Sequence, residues 1–251
     1  MNKISATLLI IAITFISVGC SSVVECGFDR DQYEVGGIGP AGGYIFFDCD
    51  ADNESGNGDG LISSECGWRF LEAAPADLRV IAGTPSVDKS DPMYDSVDVY
   101  CIFGYYRNGA NGDYLFVNGK TSYNENDCTG TAVGTGKNNT ELLVKTMGTS
   151  AYGFDNNWKS VTISDYAAKL CSDFVFNGFD DWFLPSLDEL DLMYENLHVK
   201  GLGGFASDYY WSSSEYYNDA RREWNQYFGN GTQYSGYHRY GTSRVRPVHS
   251  F

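Results

Sequence analysis

The stretch from Tyr209 to Phe251, YYWSSSEYYNDARREWNQYFGNGTQYSGYHRYGTSRVRPVHSF, constrains the fold more than any other. Glu223 to Phe228 alternates as a half-buried strand does, with Trp224, Gln226 and Phe228 on one face and Asn225 and Tyr227 on the other. Asn230-Gly231 follows, a pair suited to a type I′ hairpin turn. Beyond it, Tyr234 to Ser243 has no aliphatic side chain and cannot be a core strand. Val245-Arg246-Pro247-Val248 then reads as an edge or a bulge, because proline cannot donate to a ladder. The Tyr, Asn, Ser, Gly, His and Arg of this region are the chemistry of binding loops, where tyrosine gives contact area at low entropic cost. One exposed patch is expected, made by Tyr216, Tyr217, Asn218, Asp219, Arg221, Arg222, Asn225, Tyr227, Tyr234, Tyr237, His238, Arg239 and Tyr240. The plainer reading of the same residues is a polar, turn-rich surface.

Charge narrows the partners. The chain carries −16 overall, which argues against nucleic acid, yet Tyr216 to Phe251 holds five Arg and two acids. A local anionic ligand therefore stays open. At the other end, Leu8 to Val18 is an apolar run too short to span comfortably, followed by Gly19-Cys20. Residues 1–19 read as a lipoprotein signal peptide with Cys20 as the lipidated residue, although Ser17 departs from the usual pattern. Residues 20–34 read as a tether and 35–251 as a single domain, with insertions near 49–66 and 101–128. The expected location is the outer membrane, lipid-anchored, at the cell surface.

Export makes disulfides possible for the six remaining cysteines, and Cys49 with Cys66 and Cys101 with Cys128 are the expected pairs because each brackets a Gly/Asn/Asp-rich excursion. Cys26 and Cys171 are left over, the latter on the apolar side of a helix. No cofactor is expected. Asp48, Asp50, Asp52 and Asp59 nevertheless fall at offsets used by calcium loops, against which Asn53 stands where such loops need Gly. Two phosphate-loop patterns are rejected. Gly37 to Gly42 matches GxGxxG but leads into the strand Tyr44-Ile45-Phe46-Phe47 instead of a helix, and Gly130 to Lys137 fails at Thr131 and Asn138.

Helices are expected from Asn138, capped with Glu141, to about Met147; from Ser164 or Asp165 to Phe174; and from a Ser186/Glu189 capping box to a point before Gly201. A strand is expected around Trp68, Phe70 and Leu71, and a loop over Pro85 to Pro92. Trp211 and Trp224 are expected in the core. None of His198, His238 and His249 lies in a catalytic motif, so a non-enzymatic reading is favoured.

Several strings carry a family likeness. Asp181-Trp182-Phe183-Leu184-Pro185-Ser186, Asp188-Glu189-Leu190, Tyr210-Trp211-Ser212-Ser213-Ser214-Glu215, Trp224, Phe228 and Arg244-Val245-Arg246-Pro247-Val248 resemble the Legionella collagen-like protein C-terminal domain family. They are also similar to spirochaete lipoproteins varied by diversity-generating retroelements. The resemblance implies an α+β, C-type lectin-like fold, with two or three helices packed on small antiparallel sheets and the first and last strands paired. It also implies a changeable C-terminal face that binds a protein ligand. Adenine changes in an AAC codon reach every residue from Tyr234 to Ser243. The collagen-like relatives suggest an alternative, a lectin-like adhesin for glycans or sulfated polysaccharide using Arg221, Arg222 and Arg239. A more distant alternative is an enzyme with a formylglycine-generating-type fold.

Overall fold

The computed structural model describes residues 32–54, 67–97, 99–109, 111–121 and 128–251. Cys20, Cys26, Asp59, Cys66 and the side chain of Asp52 lie outside the described residues, and with them the lipidation, one expected disulfide and part of the calcium reading. Among the described residues, no helix is long and apolar enough to cross a membrane.

Phe70–Ala73 (β2) is buried along its whole length, so it takes a central place, with Tyr44–Asp48 (β1) on one side and Val248–Ser250 (β14) on the other. The expectation that the first and last strands pair directly is therefore corrected: β2 separates them. The reason is Glu72, a carboxylate fully buried in β2. It accepts from Ala41 N at 3.0 Å and Gly43 N at 2.8 Å on one side, and meets His249 Nδ1 at 3.0 Å on the other. The glycine-rich turn before β1 is thus shaped around a carboxylate. A Cβ at Gly39 would lie 2.5 Å from Glu72 Oε2, and one at Gly43 would lie 2.4 Å from Ala73 O.

The second sheet contains Tyr209–Glu215 (β10), Arg222–Tyr227 (β11) and Thr232–His238 (β12), in that order. The hairpin between β11 and β12 is present, but the turn is not type I′. Phe228 leaves the ladder to enter the core, so the loop runs from Phe228 to Gly231. Gly231 N donates to Tyr227 O at 2.8 Å and only Gly231 takes a positive φ, +77°. β12, the run without aliphatic side chains, lies at the sheet edge as its composition requires.

Four short ladders complete the strands. Arg79–Ile81 (β3) pairs with Thr84–Ser86 (β4), which takes the start of the expected Pro85 loop. Cys101–Ile102 (β5) pairs with Thr242–Ser243 (β13), Tyr106–Arg107 (β6) with Tyr114–Leu115 (β7), and Ala151–Phe154 (β8) with Ser160–Ile163 (β9). The architecture is α+β, small antiparallel sheets with few helices.

The helices are Cys49–Glu54 (α1), Gly136–Met147 (α2), Ala167–Ser172 (α3) and Leu187–Met193 (α4), the last continued by a π-helical turn over Tyr194–His198. The Ser186/Glu189 capping box is formed. Glu189 also accepts from Gly134 N at 2.8 Å and Gly136 N at 3.4 Å, which starts α2 before the expected Asn138 cap. Its burial pushes its carboxyl up to about 7 despite these bonds. α3 begins after Tyr166, which replaces the expected Ser164 or Asp165 cap.

α1 occupies the acidic segment where a calcium loop was considered. Alternate residues of a helix do not share a face, and Asp48 accepts from Arg69 Nε at 2.9 Å and Nη2 at 3.0 Å. Among the described residues, Cys49, Cys101, Cys128 and Cys171 form no disulfide with one another. The expected Cys101–Cys128 bridge is corrected. Cys101 lies in β5 against β13, while Thr129, next to Cys128, is held by Glu215. Cys171 is buried as expected, and its burial pushes the thiol up.

Candidate functional site

Cross-strand partners share a face of an antiparallel sheet, and the register of β10, β11 and β12 pairs Tyr209 with Tyr227, Trp211 with Asn225, Asn225 with Tyr234 and Glu223 with Tyr237. Four tyrosines therefore meet on one face. The Tyr209 ring lies 4.8 Å from Tyr227, 5.6 Å from Tyr234 and 5.8 Å from Tyr237, nearly parallel to the last. Tyr234 is 39% exposed and the other three are half-buried. Partial desolvation, then Tyr234 and the other two neighbouring rings, push the Tyr209 phenol up.

Beneath these rings sits Trp211, fully buried, 5.7 Å from Phe103 and 5.4 Å from Tyr237, with Nε1 donating to Cys101 O at 2.9 Å. Beside the platform, Asp208 accepts from Tyr100 Oη, from Tyr209 N at 2.8 Å and from Arg244 Nε at 3.0 Å. Burial opposes its ionisation, but the bonds from Tyr100 and Arg244 outweigh it and hold the carboxyl below its ordinary value. Arg244 also reaches Asp77 at 2.9 Å, a carboxylate shared with buried Arg246 at 2.6 Å. The platform rests on a charge-compensated base of Arg244, Arg246, Asp77 and Asp208.

Tyr227, Tyr234 and Tyr237 thus converge as expected, together with Tyr209, which the sequence reading passed over. The alternation that put Gln226 and Phe228 inside is also correct, since both are fully buried. The remaining expectations need correction. Asn225 is on the tyrosine face but 0% exposed, covered where it lies between Trp211 and Tyr234, and its amide has no hydrogen-bond partner among the described residues. Trp224 is half-buried, with Tyr216 edge-on at 5.5 Å.

Arg239 is the largest departure. It is 1% exposed, donates to Glu215 Oε1 at 2.8 Å, and lies 2.6 Å from Glu223 Oε1 in an ion pair not aligned as a hydrogen bond. Burial of Glu223, opposed by Arg239 and reinforced by Glu215, pushes its carboxyl up. Glu215 in turn accepts from Val117 N at 2.9 Å and Thr129 N at 3.3 Å, so the buried triad ties the 101–128 region to the sheet.

Tyr216, Tyr217, Asn218, Asp219, Arg221 and Arg222 form a separate cluster between β10 and β11. Asp219 accepts from Arg221 through two bonds of 2.8 Å, lies 3.3 Å from Arg222, and is drawn down to about 2, chiefly by Arg221. Asn218 donates to Tyr216 Oη at 3.0 Å, and Tyr217 packs on Tyr216. Together with Asp113, Tyr114 and Phe116, this loop lines an open cleft of about 780 Å³. His238 and Tyr240 stack on each other at 4.7 Å, and Tyr240 packs on Phe154 and Trp158. Burial, then Arg222 and Arg221, hold the imidazole of His238 below its ordinary value. Tyr237 and His238 are successive in a strand and point to opposite faces, so the expected single patch is divided.

Among the described residues, no group of three or more His, Cys, Asp or Glu side chains could hold a metal ion. His249 bridges Glu72 and Asp181, 3.1 Å from the latter, and serves the β14 junction.

These features define a class: a small α+β domain that carries an aromatic platform on one sheet. Residues 121–249 match the model of the Lcl C-terminal domain, and the chain belongs to that family. No curated protein and no solved structure matches the chain.

Proposed function

We propose that the protein is a lipid-anchored, surface-displayed binding protein of C-type lectin-like fold, without enzymatic activity, whose tyrosine platform recognises a protein ligand. The observation that carries this reading is the convergence of Tyr209, Tyr227, Tyr234 and Tyr237 from three strands onto one solvent-facing surface. Large amphipathic rings on a rigid support give contact area with little ordering cost, and hot spots concentrate in such residues. Cys20 supplies the anchor and places the platform at the outer membrane surface. The edge strand β12 tolerates varied side chains because its residues pack little, which suits a retroelement-diversified segment. Arg239 falls outside that variable set.

The alternative of sulfated polysaccharide at Arg221, Arg222 and Arg239 is less favoured. Arg239 is buried, and the other two are paired with Asp219. The test compares the parent with Tyr227→Ala/Tyr237→Ala for binding to cell-surface protein fractions and to immobilised heparin. Loss of protein binding by about 30-fold, corresponding to ~2 kcal/mol, with unchanged melting supports the platform. Protein binding unaffected by the double variant, or salt-sensitive heparin retention alone, refutes it.

A further inference from the structure

Asn225 occupies the middle strand of the tyrosine face, opposite Trp211 on β10 and Tyr234 on β12. Its neighbours on that face along β11 are Tyr227 on one side and Glu223 on the other. The Tyr209 backbone pairs with Tyr227, yet its ring lies 5.6 Å from Tyr234 and 5.8 Å from Tyr237, whose backbones pair with Asn225 and Glu223. Rings anchored on the two outer strands meet at such distances above the middle strand, so they roof Asn225. Its exposure is accordingly 0%, on a face that otherwise looks to solvent. Both amide atoms, Oδ1 and Nδ2, lack a hydrogen-bond partner among the described residues. A buried asparagine with a structural task looks different in this protein. Asn139, 1% exposed, accepts from Gly130 N at 3.0 Å and donates to Gly130 O at 2.7 Å. An amide left with neither bond carries a desolvation cost that its own fold does not recover.

An acceptor and a donor side by side define their complement. A primary carboxamide presents C=O and N–H on one edge and closes two parallel bonds with the Asn225 side chain. A carboxylate supplies no donor for Oδ1 and would bring an unpaired charge beneath the rings, while an ammonium or guanidinium supplies no acceptor for Nδ2. Depth separates the remaining candidates. The main chain of a peptide carries both groups, but it would have to descend below the rings to the level of the sheet, whereas a side chain on a methylene stem passes between them. The roof consists of half-buried tyrosines and of Tyr234, 39% exposed, so entry displaces side chains and leaves the ladder intact. We propose that Asn225 is the specificity-determining contact of the platform and takes a glutamine or asparagine side chain of the protein ligand, whose stem packs between the tyrosine rings. This rests on the platform being the protein-binding surface. A ligand without the carboxamide leaves the Asn225 amide unpaired, the condition under which such sites discriminate most strongly.

The experiment titrates the protein with N-acetylglutamine methylamide and follows the Asn225 side-chain amide and the Tyr209 ring by NMR. A saturable shift at both is expected, with binding at least tenfold weaker for the glutamate and methionine analogues, which share the stem and lack the carboxamide. Asn225→Leu abolishes the response and melts no lower than the parent, since an apolar side chain replaces an unpaired amide. Asn225→Asp keeps the shape, loses the donor and weakens binding tenfold or more, which serves should the leucine variant fold poorly. If Tyr227→Ala/Tyr237→Ala abolishes protein binding while the probe leaves Asn225 unshifted, the platform stands and the carboxamide site is refuted. An Asn225-dependent response to the probe, with protein binding indifferent to the double variant, supports the site and refutes a protein as its source. An equal response to N-acetylalanine methylamide, which offers main-chain groups alone, or a water held on both amide atoms that the probe does not displace, overturns the inference.

Discussion

Arg239→Ala removes the guanidinium paired with Glu215 and Glu223, which are 2% and 0% exposed. The guanidinium lies 2.8 Å from one carboxylate and 2.6 Å from the other, so its loss leaves two buried acids without this cation, Glu215 keeping its bonds from Val117 N and Thr129 N. Breaking a buried pair in this way costs about 3–5 kcal/mol, which for a domain of this size lowers Tm by roughly 6–20 °C at 2–4 °C per kcal/mol. The acid side moderates the loss. Without Arg239 to oppose it, burial raises the Glu223 carboxyl further, so the folded state holds a proton that the unfolded chain releases and stability falls as pH increases. The deficit should accordingly be largest near pH 8 and shrink toward pH 5. Urea and thermal melts at both values measure it, with Arg239→Met/Glu215→Gln/Glu223→Gln as the control that removes all three charges. A variant that melts within 1 °C of the parent at pH 8 and loses only ligand affinity would refute the buried-triad reasoning and return Arg239 to the binding face.

Other outcomes follow from the same geometry. Trp211→Ala should destabilise by about 3–5 kcal/mol in a denaturant melt, and Trp224→Ala by clearly less, because only the former is fully enclosed. Ser186→Ala removes the capping-box acceptor for Glu189 N and should cost about 1 kcal/mol by the same measurement. Cys20→Ser should leave the domain's melting unchanged while shifting the protein from the membrane to the soluble fraction, and retention with detergent-extracted membrane protein would count against the anchor.

Local chemistry was readable in the sequence, and long-range pairing was not. Ser186 and Glu189 are three residues apart, so their capping box is visible directly. Glu72, by contrast, finds its partners 29 to 177 residues away, and nothing local reveals that β2 lies between the outer strands. Arg239 sits in a polar run whose composition suits a binding loop, while its partners Glu215 and Glu223 lie on other strands. Composition describes the run, but only register shows which member turns inward. Tyr209 was within reach: Tyr210 is a core residue, and alternation places its neighbour on the opposite face. The hairpin at Asn230-Gly231 was located correctly, but the burial of Phe228 chose the turn.

The carboxylate of Glu72 also has a consequence for biogenesis. Both it and Asp77, five residues on, take partners from the 244–249 segment: His249 for one, Arg244 and Arg246 for the other. During synthesis these acids emerge more than 160 residues before these partners, and burying them earlier would carry the desolvation cost of carboxylates that lack them. The centre of the first sheet therefore closes only when the final strand arrives. Such late closure makes the first sheet a slow, long-range step of folding, completed only after the segment between it and the 244–249 residues has been laid down.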